Sequence, residues 1–204
     1  MSIMRGGVTL TRYRAADARV HPDFLDRRIR ANLFLPIVEE TTDEQSLGWV
    51  NIHDFMDTRL AYASYHLEPY VALALRLDRR RVPGAQLKKL HREEVAKALA
   101  LREGRGLSRA DREELKEKVR LELLRRTVPT THLVSMVWNT SSSEVVIDTA
   151  SQGLCEIFED FFRRTFDALP VPFISWFRAL DLVGRDQVDA LGALKPATLY
   201  QEVA

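Results

Sequence analysis

The sequence predicts an α+β fold, a mainly antiparallel sheet with packed helices and a projecting charged helical hairpin. Three observations carry that expectation. Short β-branched and apolar runs are separated by turn residues, as strands joined by hairpins require. Two charged helical runs follow one another across the break Gly104-Arg105-Gly106, which makes an αα-hairpin. Strands resume after the second run, so the hairpin interrupts the sheet.

Taken in order, Val8–Tyr13 alternates and reads as a strand. His21-Pro22-Asp23 opens a helix, with Pro at its first position, and Phe24, Leu25, Ile29 and Leu33 follow at helical spacing until Pro36. Gly48-Trp49-Val50 begins a short extended segment. Leu60–His66 and Tyr70–Leu77 are read as two strands broken by Glu68-Pro69.

Val82-Pro83-Gly84 leads into a helix with Leu87, Leu90, Val95, Ala98 and Leu101 on its apolar side. Ser108 and Asp111 have capping-box spacing before a second helix to about Arg126, with Leu115, Val119 and Leu123 on one stripe. Leu133–Trp138 and Val145–Asp148 are strands around the polar turn Asn139–Ser143. Ser151 caps a helix whose apolar face holds Leu154, Cys155, Phe158, Phe161, Phe162 and Phe166. Pro170 and Pro172 bracket its exit, and Phe173–Trp176 is read as a further strand. Residues 1–78 and 130–180 thus form an α+β core domain, residues 79–129 a basic helical-hairpin sub-domain, and 181–204 a tail with no assigned structure.

A chain of 204 residues with 46% hydrophobic and 29% charged residues has enough length and apolar content for a sizeable core. One cysteine cannot build a disulfide framework and fits a reducing compartment. No apolar run approaches the roughly 18–20 residues of a membrane span, and the N-terminus lacks the apolar stretch of a signal peptide. The expected location is the cytoplasm, with no membrane partner.

Net charge is only +1, but its distribution is uneven. From Arg76 to Arg126 there are seventeen Lys/Arg and nine Asp/Glu, an excess of eight, which leaves the remainder at −7. A localised basic surface attracts polyanions even on a nearly neutral chain. Arg79, Arg80, Arg81, Lys88, Lys89, Arg92 and Lys97 are the candidate phosphate contacts. The plainer reading is a solvated helix face laced with pairs such as Glu93–Lys97, Glu113–Lys116 and Glu114–Lys118. The excess survives that pairing.

Catalytic parts are scarce. The five histidines show no metal-ligand spacing with one another or with Cys155, and neither a metal nor a cofactor is expected. Asp54 and Asp57, beside His53, are the nearest candidates for a divalent-cation site. Neither a Gly-x-Ser-x-Gly elbow nor a phosphate-binding Gly-x-x-x-x-Gly-Lys loop occurs. Cys155 is read as a structural thiol, and Trp49, Trp138 and Trp176 as core anchors. The chain is therefore read as non-enzymatic.

The order of features from Gly48 to Pro172 resembles the RdgC family of recombination-associated proteins. The matching pieces are Ser46-Leu47-Gly48-Trp49-Val50, the strand ending Arg76-Leu77, Val82-Pro83-Gly84-Ala85-Gln86-Leu87, and Arg112–Val119. Leu123-Leu124-Arg125-Arg126, Val137-Trp138, Val145–Ser151 and Leu169-Pro170-Val171-Pro172 complete the series. The resemblance implies sequence-independent duplex DNA binding that limits RecA-promoted strand exchange, and a nucleoid location. It also implies a ring-shaped homodimer, with the hairpin as projecting tip and Val128 as candidate dimer contact near a tip-to-tip junction. Family members run to about 300 residues, so the expectation is a short form without the usual C-terminal portion that helps close the ring. The competing expectation is a protein-interaction module that uses the hairpin and binds no DNA of its own.

Overall fold

The computed structural model describes residues 9–38, 40–101 and 106–195. Its centre is an antiparallel sheet of seven strands. These are β1 (Thr11–Ala16), β2 (Gln45–Val50), β3 (His66–Leu67), β4 (Tyr70–Arg79), β5 (Thr130–Asn139), β6 (Glu144–Ile147) and β7 (Leu169–Pro172). The order across the sheet is β2-β4-β5-β6-β1-β7, with β3 pairing beside β4. The helices are α1 (Pro22–Arg30), α2 (Tyr62–Tyr65), α3 (Gly84–Leu101), α4 (Arg109–Arg126), α5 (Gln152–Phe166), α6 (Ser175–Val183) and α7 (Val188–Gly192). The fold is α+β, as expected.

Alternation along β4 and β5 divides the sheet into two faces. Val71, Leu73, Leu75 and Leu77 of β4 face the same way as Val134, Met136 and Trp138 of β5, and α1 and α5 cover that side. Phe158, Phe161, Phe162 and Phe166 of α5 interlock with Trp49, Trp138 and Tyr13 at ring separations of 4.8 to 6.4 Å. The Trp49 indole N–H finds a buried acceptor in the Thr165 hydroxyl at 3.1 Å. On the opposite face a smaller cluster of Phe34, Val50 and Ala74 forms under the segment after α1.

That segment also protects the β2 edge. Trp49 N–H donates to the Asn32 carbonyl at 2.9 Å, and Phe34 N–H donates to the Trp49 carbonyl at 3.0 Å. The approach is so close that a Cβ at Gly48 would collide with the backbone of Leu33 and Phe34. At the other edge, Pro170 and Pro172 lie within β7, where missing amide donors are tolerated because among the described residues no strand pairs beyond it.

Five expectations need correction. Leu60–His66 is not a strand: Tyr62–Tyr65 forms a single helical turn, with the Ser64 hydroxyl on the Ala61 carbonyl at 2.6 Å, and only His66–Leu67 pairs. This turn buries Leu60 and Tyr65 together, which an alternating strand would place on opposite faces. Phe173–Trp176 is not a strand either. Phe173 N–H closes the ladder on the Arg12 carbonyl, and α6 starts at Ser175, leaving Trp176 exposed instead of in the core. Ser151 occupies the N-cap position of α5, but its hydroxyl makes no cap bond. Leu101 is 84% exposed rather than on a packed side. The first strand is Thr11–Ala16 rather than ending at Tyr13, because Arg14 and Ala15 also pair with β6 or β7, and Val8 lies outside the described residues. The part of the tail within the described residues is helical, with α6, a 3₁₀ turn at Arg185–Gln187 and α7.

Candidate nucleic-acid interface

The hairpin leaves the sheet between β4 and β5, whose ends Arg79 and Thr130 are paired neighbours. Ser108 starts α4 with both halves of a capping box: its Oγ accepts from Asp111 N–H at 3.1 Å, and its own N–H donates to the Asp111 carboxylate at 3.0 Å. His91 Nε2 lies 3.0 Å from the Arg112 carbonyl. A carbonyl can only accept, so this nitrogen carries the proton and ties α3 to α4.

Three contacts fix the hairpin's root. Arg120 of α4 bonds Glu44, and also Glu117 at 3.0 Å, and these carboxylates hold its guanidinium in the charged form. Arg80 N–H donates to the Glu44 carbonyl at 2.8 Å. The Arg80 guanidinium turns inward onto the carbonyls of Thr41 at 2.8 Å and Val38 at 3.1 Å. Arg80 is 5% exposed. Of the seven candidate phosphate contacts it is the buried one, turned away from solvent.

The other six are exposed. On α3, Leu87, Leu90, His91, Glu94, Val95 and Ala98 take the half-buried side. At about 100° per residue, Lys88, Lys89 and Arg92 project together from the opposite side. Lys97 reaches back to Glu94 at 2.7 Å, a bond that raises the ammonium's pKa and lowers that of the carboxyl. Among the described residues, Arg79, Arg81, Lys88, Lys89 and Arg92 have no carboxylate within ion-pair distance. Val128 is 84% exposed, but it lies at the hairpin's root, since α4 ends at Arg126 and β5 starts at Thr130. An 18-residue helix is about 27 Å long, so the root and tip are well apart.

Two clefts lie beside the root on the helix-covered side of the sheet. One, of about 350 Å³, is lined by Glu44, Gln45, Arg79, Arg81, Leu87 and Arg120 among others. The second, of about 480 Å³, again includes Gln45 and Arg79 and continues to Asp160, Phe161, Arg163 and Arg164 of α5. Sequence reasoning missed Arg163 and Arg164. Basic residues in a last helical turn read as ordinary partners of the helix dipole, and nothing local places them beside Arg79. On the opposite face the cations are neutralised, Arg76 by Asp78 at 2.8 Å and Arg12 by Glu144 at 2.5 Å.

Asp54 and Asp57 serve their own loop. Asp54 accepts from Met56 N–H at 2.9 Å, and Asp57 accepts from Arg59 N–H at 3.1 Å and the Asn51 amide at 3.2 Å. The Asn51 and Arg59 bonds lower the Asp57 pKa. Among the described residues, no group of three or more His, Cys, Asp or Glu could hold a metal ion. None of the helices in the described part is long and apolar enough to cross a membrane.

The family model described as "Putative exonuclease, RdgC" matches residues 9–180. The chain belongs to the RdgC family. Its similarity to curated members is modest but extended. It is 28% identical over 155 residues to the recombination-associated protein RdgC of Ralstonia nicotianae, covering 74% of this chain and 47% of that protein. The protein of the same name from Psychromonas ingrahamii is 25% identical over 166 residues, covering 80% and 52%. That from Colwellia psychrerythraea is 27% identical over 152 residues, covering 72% and 46%. The chain thus spans about half the length of the curated RdgC proteins it matches.

Proposed function

We propose that this chain binds duplex DNA without base preference and acts in recombination by occupying the duplex, so that a RecA-class recombinase cannot use it for strand exchange. The observation that carries this reading is the outward group Lys88, Lys89 and Arg92 of α3, which among the described residues have no carboxylate within ion-pair distance. Such side chains bind phosphates by charge, displacing counterions, and carry no base information. Lys97 joins them by exchanging Glu94 for a phosphate. The reading includes a nucleoid location in the cytoplasm and a homodimer with exposed Val128 as its contact. It is a role by occupancy without catalysis, supported by the engagement of Asp54 and Asp57 within their own loop.

The test is binding to a labelled random duplex across a salt series. Replacing Lys88, Lys89 and Arg92 together by Gln should weaken binding uniformly across sequences and flatten the logarithmic salt slope by about 3. Unchanged affinity at low salt would remove these residues from the interface. No binding by the unaltered protein would favour a protein-interaction arm, for which exposed Leu99 and Leu101 supply apolar surface. Divalent-cation-dependent shortening of an end-labelled duplex would replace occupancy by nuclease action.

A further inference from the structure

The two clefts at the hairpin's root share Gln45 and Arg79, and so form one groove. Its floor is set by sheet register. Gln45 pairs with Arg79 and Leu47 with Leu77, on the same face as Trp49 and Leu75 but beyond the part of the sheet that the aromatic face of α5 seals. The C-terminal part of α5 walls one side and the root of the hairpin the other. Six arginines line it, Arg79, Arg80, Arg81, Arg120, Arg163 and Arg164, against Glu44 and Asp160, and the Arg80 guanidinium is turned onto the Thr41 and Val38 carbonyls. Arg120 is paired with Glu44 and Arg163 with Asp160 at 3.0 Å, so the positive excess of the groove rests on Arg79, Arg81 and Arg164, and Arg163 joins them by exchanging Asp160 for a phosphate. The negative end of α5 does not cancel this, because Arg28 caps the Thr165 carbonyl at 2.5 Å and the Arg164 carbonyl at 2.7 Å.

One detail gives the groove more than charge. The Arg164 guanidinium lies over the Phe161 ring, 4.6 Å from its centroid. Phe161 is buried and held by Trp49, so the guanidinium of the exposed Arg164 rests on a fixed support. Guanidinium planes of this kind stack on nucleobases. Clefts of about 350 and 480 Å³ fall within the roughly 300–1,000 Å³ that encloses a small-molecule-sized group. Each takes a nucleotide; neither takes the body of a duplex.

The geometry points to a second nucleic-acid site: this groove holds two or three successive nucleotides of a single DNA strand. Arg79 sits between the clefts against a shared phosphate, Arg81 and Arg163 bind its neighbours, and a base stacks on Arg164. The assignment extends the reading of the chain as a DNA-binding protein, but it uses different residues from the outer face of α3. Duplex on the hairpin and a separated strand in the groove would be held by one chain.

Binding of fluorescein-labelled dT8 and of a labelled random duplex, at low salt, separates the two sites. Arg163→Gln with Arg164→Gln should weaken dT8 about ten-fold and leave duplex affinity within two-fold. Lys88→Gln, Lys89→Gln and Arg92→Gln should do the reverse. Arg164→Lys, which keeps the charge and loses the plane, should cost dT8 two- to three-fold. Both α5 side chains are exposed, and an unchanged thermal melt verifies that the fold persists. Equal loss of both ligands in the α5 variant, or no loss of dT8, would overturn the groove assignment. Competition by dTTP as effective as unlabelled dT8 would also overturn it, in favour of a free-nucleotide site. Loss of dT8 in the α5 variant, with no duplex binding by the unaltered protein, would uphold the groove and refute the duplex reading.

Discussion

The sheet core and the hairpin are stabilised in different ways. In the core, four phenylalanines of α5 close on Trp49, Trp138 and Tyr13, all of them essentially without exposure. In the hairpin, no residue of the 18-residue helix α3 is buried, and α4 buries only Val119 and Leu124. The core is secured by apolar area removed from water. The hairpin relies on local helix chemistry, namely its capping box and ion pairs such as Glu94–Lys97 and Glu122–Arg126, and on the Arg120–Glu44 tie at its root. Surface ion pairs contribute little each. The hairpin's surface is therefore largely released from packing demands, and its residues are open to selection for charge.

The largest expected effect tests the core. Phe162→Ala should cost about 3–5 kcal/mol in chemical denaturation, by removing a ring that touches Trp138, Phe158 and Phe166. Leu101→Ala, on the hairpin, should stay within about 0.5 kcal/mol of the parent. Equal losses would mean that the hairpin packs as the core does.

A smaller effect concerns the junction of α1 with the turn at α2. The Asp26 carboxylate accepts from Arg30 at 2.8 Å and from the buried Tyr65 hydroxyl, and these bonds hold its pKa below the ordinary 3.8. A carboxyl lowered by folding stabilises the protein above its unfolded pKa and loses that contribution as pH falls through the folded one. Asp26→Asn should cost about 1–2 kcal/mol at pH 7, and the gap from the parent should close below pH 4. A gap that persists on acidification would assign the loss to packing.

The smallest effect is local. Ser108→Ala removes one capping bond and should cost about 1 kcal/mol of helix stability, seen as faster amide exchange in the first turn of α4. Core strands β4 and β5 should exchange at the parent rate. Faster exchange of the core strands in this variant would show that hairpin and sheet unfold as one unit.

What was legible in the sequence follows from the range of the interactions involved. The helices α3, α4 and α5, the turn Asn139–Ser143 and the strands β4, β5 and β6 are written in local spacing and turn chemistry, and charge counting located the basic hairpin. Leu60–His66 was misread because its fate depends on burying Leu60 and Tyr65 together and on Asp26, thirty-nine positions before Tyr65. Phe173–Trp176 was misread because β1 offers only the Arg12 carbonyl to Phe173 before α6 begins.

For the candidate site, the sequence by itself determined which stretch is basic and that Lys88, Lys89 and Arg92 share a helix face. Only the tertiary structure decided that Arg80 turns inward to the Val38 and Thr41 carbonyls. It also decided that Arg163 and Arg164 line a cleft with Gln45 and Arg79. The physical reason is the same for both. Helical periodicity is fixed by backbone geometry within a few residues, whereas burial and charge convergence depend on which distant segments the sheet register brings together.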